Sequence, residues 1–142
     1  MNAVLLDTNA VIWFMARAPM SPAALEGIAA AQHAGGVLVS PMSAWEAALA
    51  LRKRHSRPDL GGRDAAQWFQ AVLKVPGFKL ANPTRRIALE AACVPTVFGR
   101  GDPGDCFLIA TARVKKVPIV TRDRRMRRLA TARPDYLQII LC

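Results

Sequence analysis

Short apolar runs that stop on an acid or a hydroxyl, each followed by a helix start signal, constrain this chain more than any other feature. Ala3-Val4-Leu5-Leu6 stops at Asp7, Val37-Leu38-Val39 at Ser40, and Pro118-Ile119-Val120 at Thr121. Short, rich in branched residues and apolar at every position, these runs read as strands buried on both faces. Phe78-Lys79-Leu80 is a further short strand, and Tyr136 to Leu141 the last. Helices fill the intervals. Thr8 to Arg17 reads as one, closed by Pro19. Ser21-Pro22, a cap followed by proline at the first helical position, starts another that runs to about His33 and ends at Gly35-Gly36. Ser43 caps a helix through Arg54, followed by a polar loop from Ser56 to Gly62. Asp64 caps a helix carrying Trp68, Phe69, Val72 and Leu73 at helical spacing. Asn82-Pro83 opens one to about Ala92, and Val94 to Gly101 is loop. Asp102-Pro103 opens a helix with Phe107, Leu108, Ala110, Thr111 and Val114, and Asp123 starts a short basic one. This alternation predicts an α/β fold with a central, mostly parallel sheet flanked by helices. With 142 residues and neither repeat nor interior linker, residues 1–142 are expected to form a single domain.

The charge balance points to a class of partner. Twenty Lys and Arg face ten Asp and Glu, a net charge of +10. Such an excess attracts polyanions, RNA and DNA foremost, with an acidic protein partner or plain solubility as the alternatives. The apolar stretch Ala10 to Ala16 stops at Arg17, too soon to span a bilayer. Asp7 interrupts the N-terminal apolar run and no basic residue precedes it, which does not suit a secretory signal. The expectation is a soluble, cytoplasmic protein with no membrane association. Cys93, Cys106 and Cys142 form no CxxC pair, so neither a disulfide framework nor a zinc site follows. His33 and His55 stand outside any motif. Acids must therefore carry any chemistry.

In open α/β sheets, sites form at the carboxyl ends of the strands. Asp7 ends the first strand, Glu46 lies one turn into the helix after the second, and Asp123 follows Thr121. Asp105 sits in the first turn of the helix leading into that strand. One crevice can gather these four. Carboxylates without histidine or thiolate are hard oxygen ligands suited to Mg²⁺ or Mn²⁺, and a cation would relieve their mutual repulsion. A second interpretation stands beside this one. Ser43-x-x-Glu46 and Asp102-x-x-Asp105 have capping-box spacing, and Asp123 can be an N-cap. Asp7 fits capping least, because a carboxylate after four apolar residues is costly to bury without a partner.

Four segments stand out together: Leu5-Leu6-Asp7-Thr8-Asn9, Ser43-x-Trp45-Glu46, Asp102-Pro103-x-Asp105-x-x-Leu108-Ile109-Ala110-x-Ala112 and Val120-Thr121-x-Asp123. In this order and spacing they resemble the motifs of PIN-domain ribonucleases, and in particular of VapC-type toxins of toxin–antitoxin pairs. The resemblance runs from about residue 4 to residue 128. It implies that Asp7, Glu46, Asp105 and Asp123 form an acidic quartet binding Mg²⁺ or Mn²⁺, with Asp7 and Asp105 as direct ligands. Asn9 and Thr121 match polar positions that support the site by orienting carboxylates or water. A small cognate antitoxin that inserts a segment into the site is the implied partner, and a homodimer the implied assembly. The chain departs from its relatives in places: Arg100-Gly101 precedes Asp102, Gly104 stands where an aromatic is frequent, Cys106 follows Asp105, and Ala50 replaces a frequent lysine. No carboxylate is lost, but substrate contacts differ. Asp102 is expected to cap its helix, with an outer role at the site as the alternative, and Cys106 to sense oxidation if it is exposed.

The expected reaction is metal-assisted hydrolysis of RNA by water, leaving a 5′-phosphate and a 3′-hydroxyl. Outside the quartet, twenty cations face six acids, leaving +14. Arg122, Arg124 and Arg125, with Arg127 and Arg128, are the candidate RNA contacts, because they flank Asp123. Arg52-Lys53-Arg54 reads equally as a solvated helix end. Trp13 and Phe14 are expected in the core or on a dimer surface, and Trp45 and Trp68 in the core. A haloacid-dehalogenase-like phosphatase would need an acid where Asn9 stands. A Rossmann binder would need a glycine-rich turn after the first strand, and Asp7 to Ile12 has no glycine. The rival from another class is a non-catalytic PIN-like RNA-binding or scaffold module, which needs no complete quartet.

Overall fold

A computed structural model describes residues 2–142. Five strands of three residues each form one sheet: β1 Val4–Leu6, β2 Val37–Val39, β3 Phe78–Leu80, β4 Ile119–Thr121 and β5 Ile139–Leu141. The helices are α1 Thr8–Met15, α2 Pro22–His33, α3 Pro41–Ala50, α4 Ala65–Leu73, α5 Arg85–Cys93, α6 Pro95–Phe98, α7 Pro103–Lys115 and α8 Arg124–Ala132. The strand order is β3-β2-β1-β4-β5, and every pairing is parallel rather than most of them.

This order has one reversal. From β1 the chain winds outward through β2 to β3, then crosses back to lay β4 on the other side of β1 and continues to β5. Right-handed crossovers in opposite directions deliver α1–α4 to one face of the sheet and α5–α8 to the other. The side chains follow with a period of two. Val4 and Leu6 of β1, with Val37, Val39 and Val120, pack into a core shared with Val11, Ile28, Trp68 and Val72. Leu5 and Ile119 point the other way, into a core with Ile87, Leu108, Ile109, Met126 and Leu129. The central strands are thus dry on both faces, which is why their sequences are apolar up to Thr121, the hydroxyl residue that closes β4. Among the described residues no helix is long and apolar enough to cross a membrane.

Several boundaries differ from the sequence expectation, each for a local reason. α3 starts at Pro41 with Ser40 as its N-cap, the Ser40 hydroxyl accepting from the Met42 amide at 3.1 Å. Ser43 lies inside the helix, fully buried, and α3 ends at Ala50 rather than Arg54. Thr84, not Asn82, caps α5 through the Ile87 amide, and α6 forms one turn within the expected loop. α1 ends at Met15, where Arg17 turns into the left-handed region at φ 56°. Tyr136 precedes β5 instead of opening it. Its ring lies under the Arg113 guanidinium at 3.7 Å, and its carbonyl accepts from the same side chain at 2.9 Å. Trp68 is in the core as expected, but Trp45 is 44% exposed on α3.

Candidate active site

The reversal in strand order lies between β1 and β4, and α/β sheets form their crevices at the carboxyl ends of such a pair. Here a pocket of about 180 Å³ opens, lined by Asp7, Thr8, Asn9, Trp13, Glu46, Asp105, Leu108, Arg122 and Asp123. The four acids singled out in the sequence come to this one place from four different segments.

Asp7 leaves the end of β1 and is almost fully buried. Its Oδ1 accepts from the Ala10 amide at 2.7 Å, so it is also the N-cap of α1. Its Oδ2 accepts from the hydroxyl of Thr121, at the end of β4 and itself buried. The same Thr121 oxygen accepts from the Asp123 amide at 3.0 Å, so one hydroxyl fixes both strand-end acids. Asp123 in turn caps α8 through the Met126 amide at 2.9 Å. Burial pushes the Asp7 carboxyl up to about 6, against the lowering effect of its bonds to Thr121 and Ala10; the nearby Asp123 charge adds to the rise and Arg122 opposes it.

The other two acids come from helices of opposite layers. α3 and α7 meet over the edge of the sheet, and Gly104 makes the approach possible. A Cβ on Gly104 would stand 2.7 Å from the Glu46 carboxyl carbon and 2.9 Å from both of its oxygens. Glu46 does not return to its own helix end. Its Oε1 accepts from the Thr8 hydroxyl at 2.7 Å, and Thr8 lies 3.0 Å from the Ser43 hydroxyl. A hydroxyl has one proton, so Ser43 donates to Thr8 and Thr8 to Glu46. The capping box expected at Ser43-x-x-Glu46 is therefore absent, and the two residues share a helix face aimed at Thr8. Burial raises the Glu46 carboxyl above its ordinary value, and the charges of Asp102 and Asp7 raise it further, while Thr8 lowers it.

Asp105 has no such support. Its carboxylate accepts no hydrogen bond among the described residues, and burial together with the charges of Asp123, Glu46, Asp102 and Asp7 lifts it to about 7. Asp102 performs the capping on this helix, accepting from the Gly104 amide at 2.8 Å with its side chain turned to solvent. Among the described residues, the ion pairs are Arg113–Glu90 and Arg133–Asp135, and neither touches the pocket. The pocket thus concentrates negative charge with no protein cation in ion-pair contact.

The remaining sequence candidates divide. Thr121 is placed as described. Asn9 lines the pocket but makes no side-chain hydrogen bond to any of the four acids; Thr8, which sequence reasoning passed over, does the orienting. Arg122 borders the pocket with its guanidinium engaged elsewhere: it stacks 3.8 Å from the Trp13 ring and donates to the carbonyls of Cys142 and Pro19, both at 2.9 Å. Arg125 stacks on Phe98 at 4.2 Å and donates to the Phe98 carbonyl. Arg124 is exposed on α8. Cys106 is buried, and burial beside Asp105 pushes its thiol up, which removes the condition for an oxidation sensor.

Comparison with known proteins agrees with this fold. Residues 4–132 match the PIN domain family. The chain is 31% identical over 135 residues to Ribonuclease VapC22 of Mycobacterium tuberculosis, covering 94% of this chain and 97% of that protein. Its fold resembles chains in solved structures of DNA-bound VapBC from Salmonella typhimurium (TM-score 0.67, 14% identity, 99% and 98% of the two chains). It also resembles VapBC2 from Rickettsia felis bound to a promoter fragment (TM-score 0.68, 10% identity, 98% of each). A third is VapBC-1 from nontypeable Haemophilus influenzae (TM-score 0.61, 19% identity, 97% and 96%). A parallel sheet with its acids gathered at the β1–β4 reversal, and a family match over nearly its whole length, make this chain a PIN-domain protein of the VapC type.

Proposed function

We propose that this chain is the toxin of a VapBC-type toxin–antitoxin pair, a Mg²⁺- or Mn²⁺-dependent endoribonuclease working at Asp7, Glu46, Asp105 and Asp123. The observation that carries this reading is convergence: four of ten acids, drawn from separate elements, line one small pocket and, among the described residues, none of them is in an ion pair. Helix capping does not require that. The donor set is all oxygen, which suits a hard divalent cation. It is not a closed cage, since among the described residues no three acid, histidine or cysteine groups stand close enough to hold an ion by themselves. An open arrangement fits Mg²⁺, which keeps several waters and uses one or two carboxylates. Asp7 and Asp105 are the direct ligands in this reading, completed by Glu46 and Asp123.

When bound, the cation supplies a water of lowered pKa and offsets charge building on the scissile phosphate. The rest falls to the chain. Thr121 holds Asp7 and the turn of Asp123 in fixed relation, so the geometry exists before substrate arrives. Thr8, itself accepting from Ser43, occupies Glu46 Oε1 and leaves Oε2 to position the attacking water or take its proton. In-line attack by water leaves a 5′-phosphate and a 3′-hydroxyl. Neither histidine lines the pocket, so attack by the RNA's own 2′-hydroxyl lacks an imidazole acid–base pair. A small antitoxin that inserts a segment into the pocket is the natural inhibitor, consistent with the VapBC assemblies of the structural relatives. A cytoplasmic homodimer completes the proposal.

The experiment is cleavage of a mixed RNA pool by the purified, antitoxin-free chain in Mg²⁺, Mn²⁺ or EDTA, with Asp7→Asn as control. Cutting that requires metal and vanishes in Asp7→Asn is the expected result. If folded wild type and Asp7→Asn bind RNA equally and neither cuts with any metal, the catalytic reading fails and a non-catalytic PIN-like RNA-binding module takes its place.

A further inference from the structure

Beyond the pocket, α8 breaks the local rules of helix stability in a consistent direction. Arg124 and Arg125 occupy its first turn, where the helix dipole disfavours cations. Arg124 lies three and four residues from Arg127 and Arg128 on one face, so like charges are stacked at spacings where they destabilise a helix. No carboxylate lies within ion-pair distance of Arg124, Arg127 or Arg128 among the described residues. The opposite face is ordinary, with Met126 and Leu129 buried in the core. A helix that accepts such repulsion without relief from its own chain points to an anionic ligand.

The five arginines after Thr121 do not act alike. Arg122 and Arg125 are pinned on rings and carbonyls of their own chain. Arg124, Arg127 and Arg128 are exposed and, with Thr131, line a shallow depression of about 440 Å³. At helical rise this stripe extends about 10 Å from the first residue of α8 to Thr131. It begins one residue after Asp123, a pocket acid.

We propose that the exposed face of α8 formed by Arg124, Arg127 and Arg128 is a phosphate track, on which single-stranded RNA lies as it runs from the acid pocket, while Arg122 and Arg125 are structural pins. This rests on the ribonuclease reading for its choice of polyanion. Phosphate contacts set position without reading sequence, so the track supplies affinity and register, and base selection falls to other surfaces. Arg52-Lys53-Arg54 makes the contrast: these cations follow the C-terminus of α3, where the dipole favours them and no ligand is needed.

The test compares Arg124→Ala/Arg127→Ala/Arg128→Ala with the control Arg52→Ala/Lys53→Ala/Arg54→Ala, which removes the same charge elsewhere. Binding of a labelled single-stranded RNA oligonucleotide is measured in EDTA, so that nothing is cut, across a salt titration; cleavage of the same probe in Mg²⁺ is measured for wild type. Losing three phosphate contacts lowers the slope of log affinity against log salt by about 2 and weakens low-salt binding by at least about ten-fold. The control leaves the slope in place, and both triple variants melt cooperatively. If the α8 triple retains the wild-type slope, or the control loses as much, the track is wrong; retained RNA binding assigns the face to an acidic protein instead. Wild type that cuts while the α8 triple matches the control refutes the track alone. Wild type that never cuts while the α8 triple loses its slope refutes the ribonuclease reading and leaves the track standing.

Discussion

Two of the pocket acids stand at strand ends and two on helices, and the two pairs are held differently. Asp7 and Asp123 each combine two duties in one residue: the carboxylate that faces the pocket also caps the following helix. On α3 and α7 the duties are split. Ser40 and Asp102 cap, while Glu46 and Asp105 line the pocket three to six residues further on. The strand-end acids are therefore fixed by backbone geometry and by Thr121, whereas Glu46 leans on the Thr8 hydroxyl, backed by Ser43, and Asp105 on no hydrogen bond among the described residues. Rigidity sits on one side of the pocket and charge stress on the other. Capping and site formation compete only where a carboxylate's bonds to its own helix would turn it away from the pocket.

Replacing Asp105 tests this asymmetry most severely. In the ribonuclease reading, Asp105→Asn loses several kcal/mol of transition-state stabilisation, a fall in cleavage of about 1,000-fold or more. Asp7→Asn does the same. Stability separates them. Asp7 and Asp105 bind protons more tightly in the folded chain, at about 6 and about 7, than their ordinary value of 3.8. Folding then takes up protons between those limits, so the metal-free chain is most stable near the acid end of the window and loses stability as pH rises through about 7. For buried Asp7 this amounts to about 3 kcal/mol. In EDTA above pH 7, Asp105→Asn removes an unsupported charge and raises the melting temperature. Asp7→Asn gains less, because an amide leaves either Thr121 or the Ala10 amide facing a donor. Mg²⁺ raises the wild-type melting temperature most at high pH, where protons no longer compete. A lower melting temperature for Asp105→Asn in EDTA at that pH would show that Asp105 is structurally engaged.

The fold was legible because β1 and β2 are apolar at every position and β4 up to its closing Thr121, a pattern that a doubly covered sheet explains. Which acids would converge was legible from their places: Asp7 and Asp123 after strands, Glu46 in the helix that follows one and Asp105 in the first turn of the helix that leads into one. Whether each capped or lined was not, because Ser43-x-x-Glu46 carries the spacing of a capping box while Ser40-Pro41 carries the start signal that α3 uses. Thr8 was missed although it adjoins Asp7, since its bond to Glu46 spans 38 residues and has no local periodicity. Gly104 stood out in sequence only as a departure. Its use, contact between helices from opposite layers, is a property of the assembled sheet.

Gly104→Ala sharpens the comparison on the helix side. The added methyl meets the Glu46 carboxyl, and overpacking of this kind costs about 1–3 kcal/mol, offset by up to about 1 kcal/mol of better helix propensity. A net loss near 1 kcal/mol in stability and roughly ten-fold in cleavage follows if Glu46 must shift away from Thr8. Adding Glu46→Asp, which is shorter by one methylene, recovers melting temperature more than it recovers cleavage. Gly104→Ala with wild-type cleavage would mean that the position of Glu46 does not matter to the reaction.

Asp102 offers the smallest effect and the finest discrimination. Its carboxylate accepts from the Gly104 amide and faces solvent, so Asp102→Ala costs about 1 kcal/mol by loss of the cap, whereas Asp102→Asn keeps it. Both substitutions remove a charge that raises Asp105 and Glu46, which shifts the acid limb of the pH–rate profile toward lower pH. One solvent-screened charge changes neutral-pH cleavage by no more than about three-fold. The decisive variant is Asp102→Asn, because it leaves the helix start intact and alters only charge. If it melts like wild type and yet loses cleavage as Asp105→Asn does, Asp102 belongs to the site, and the division between capping and pocket acids on α7 does not hold.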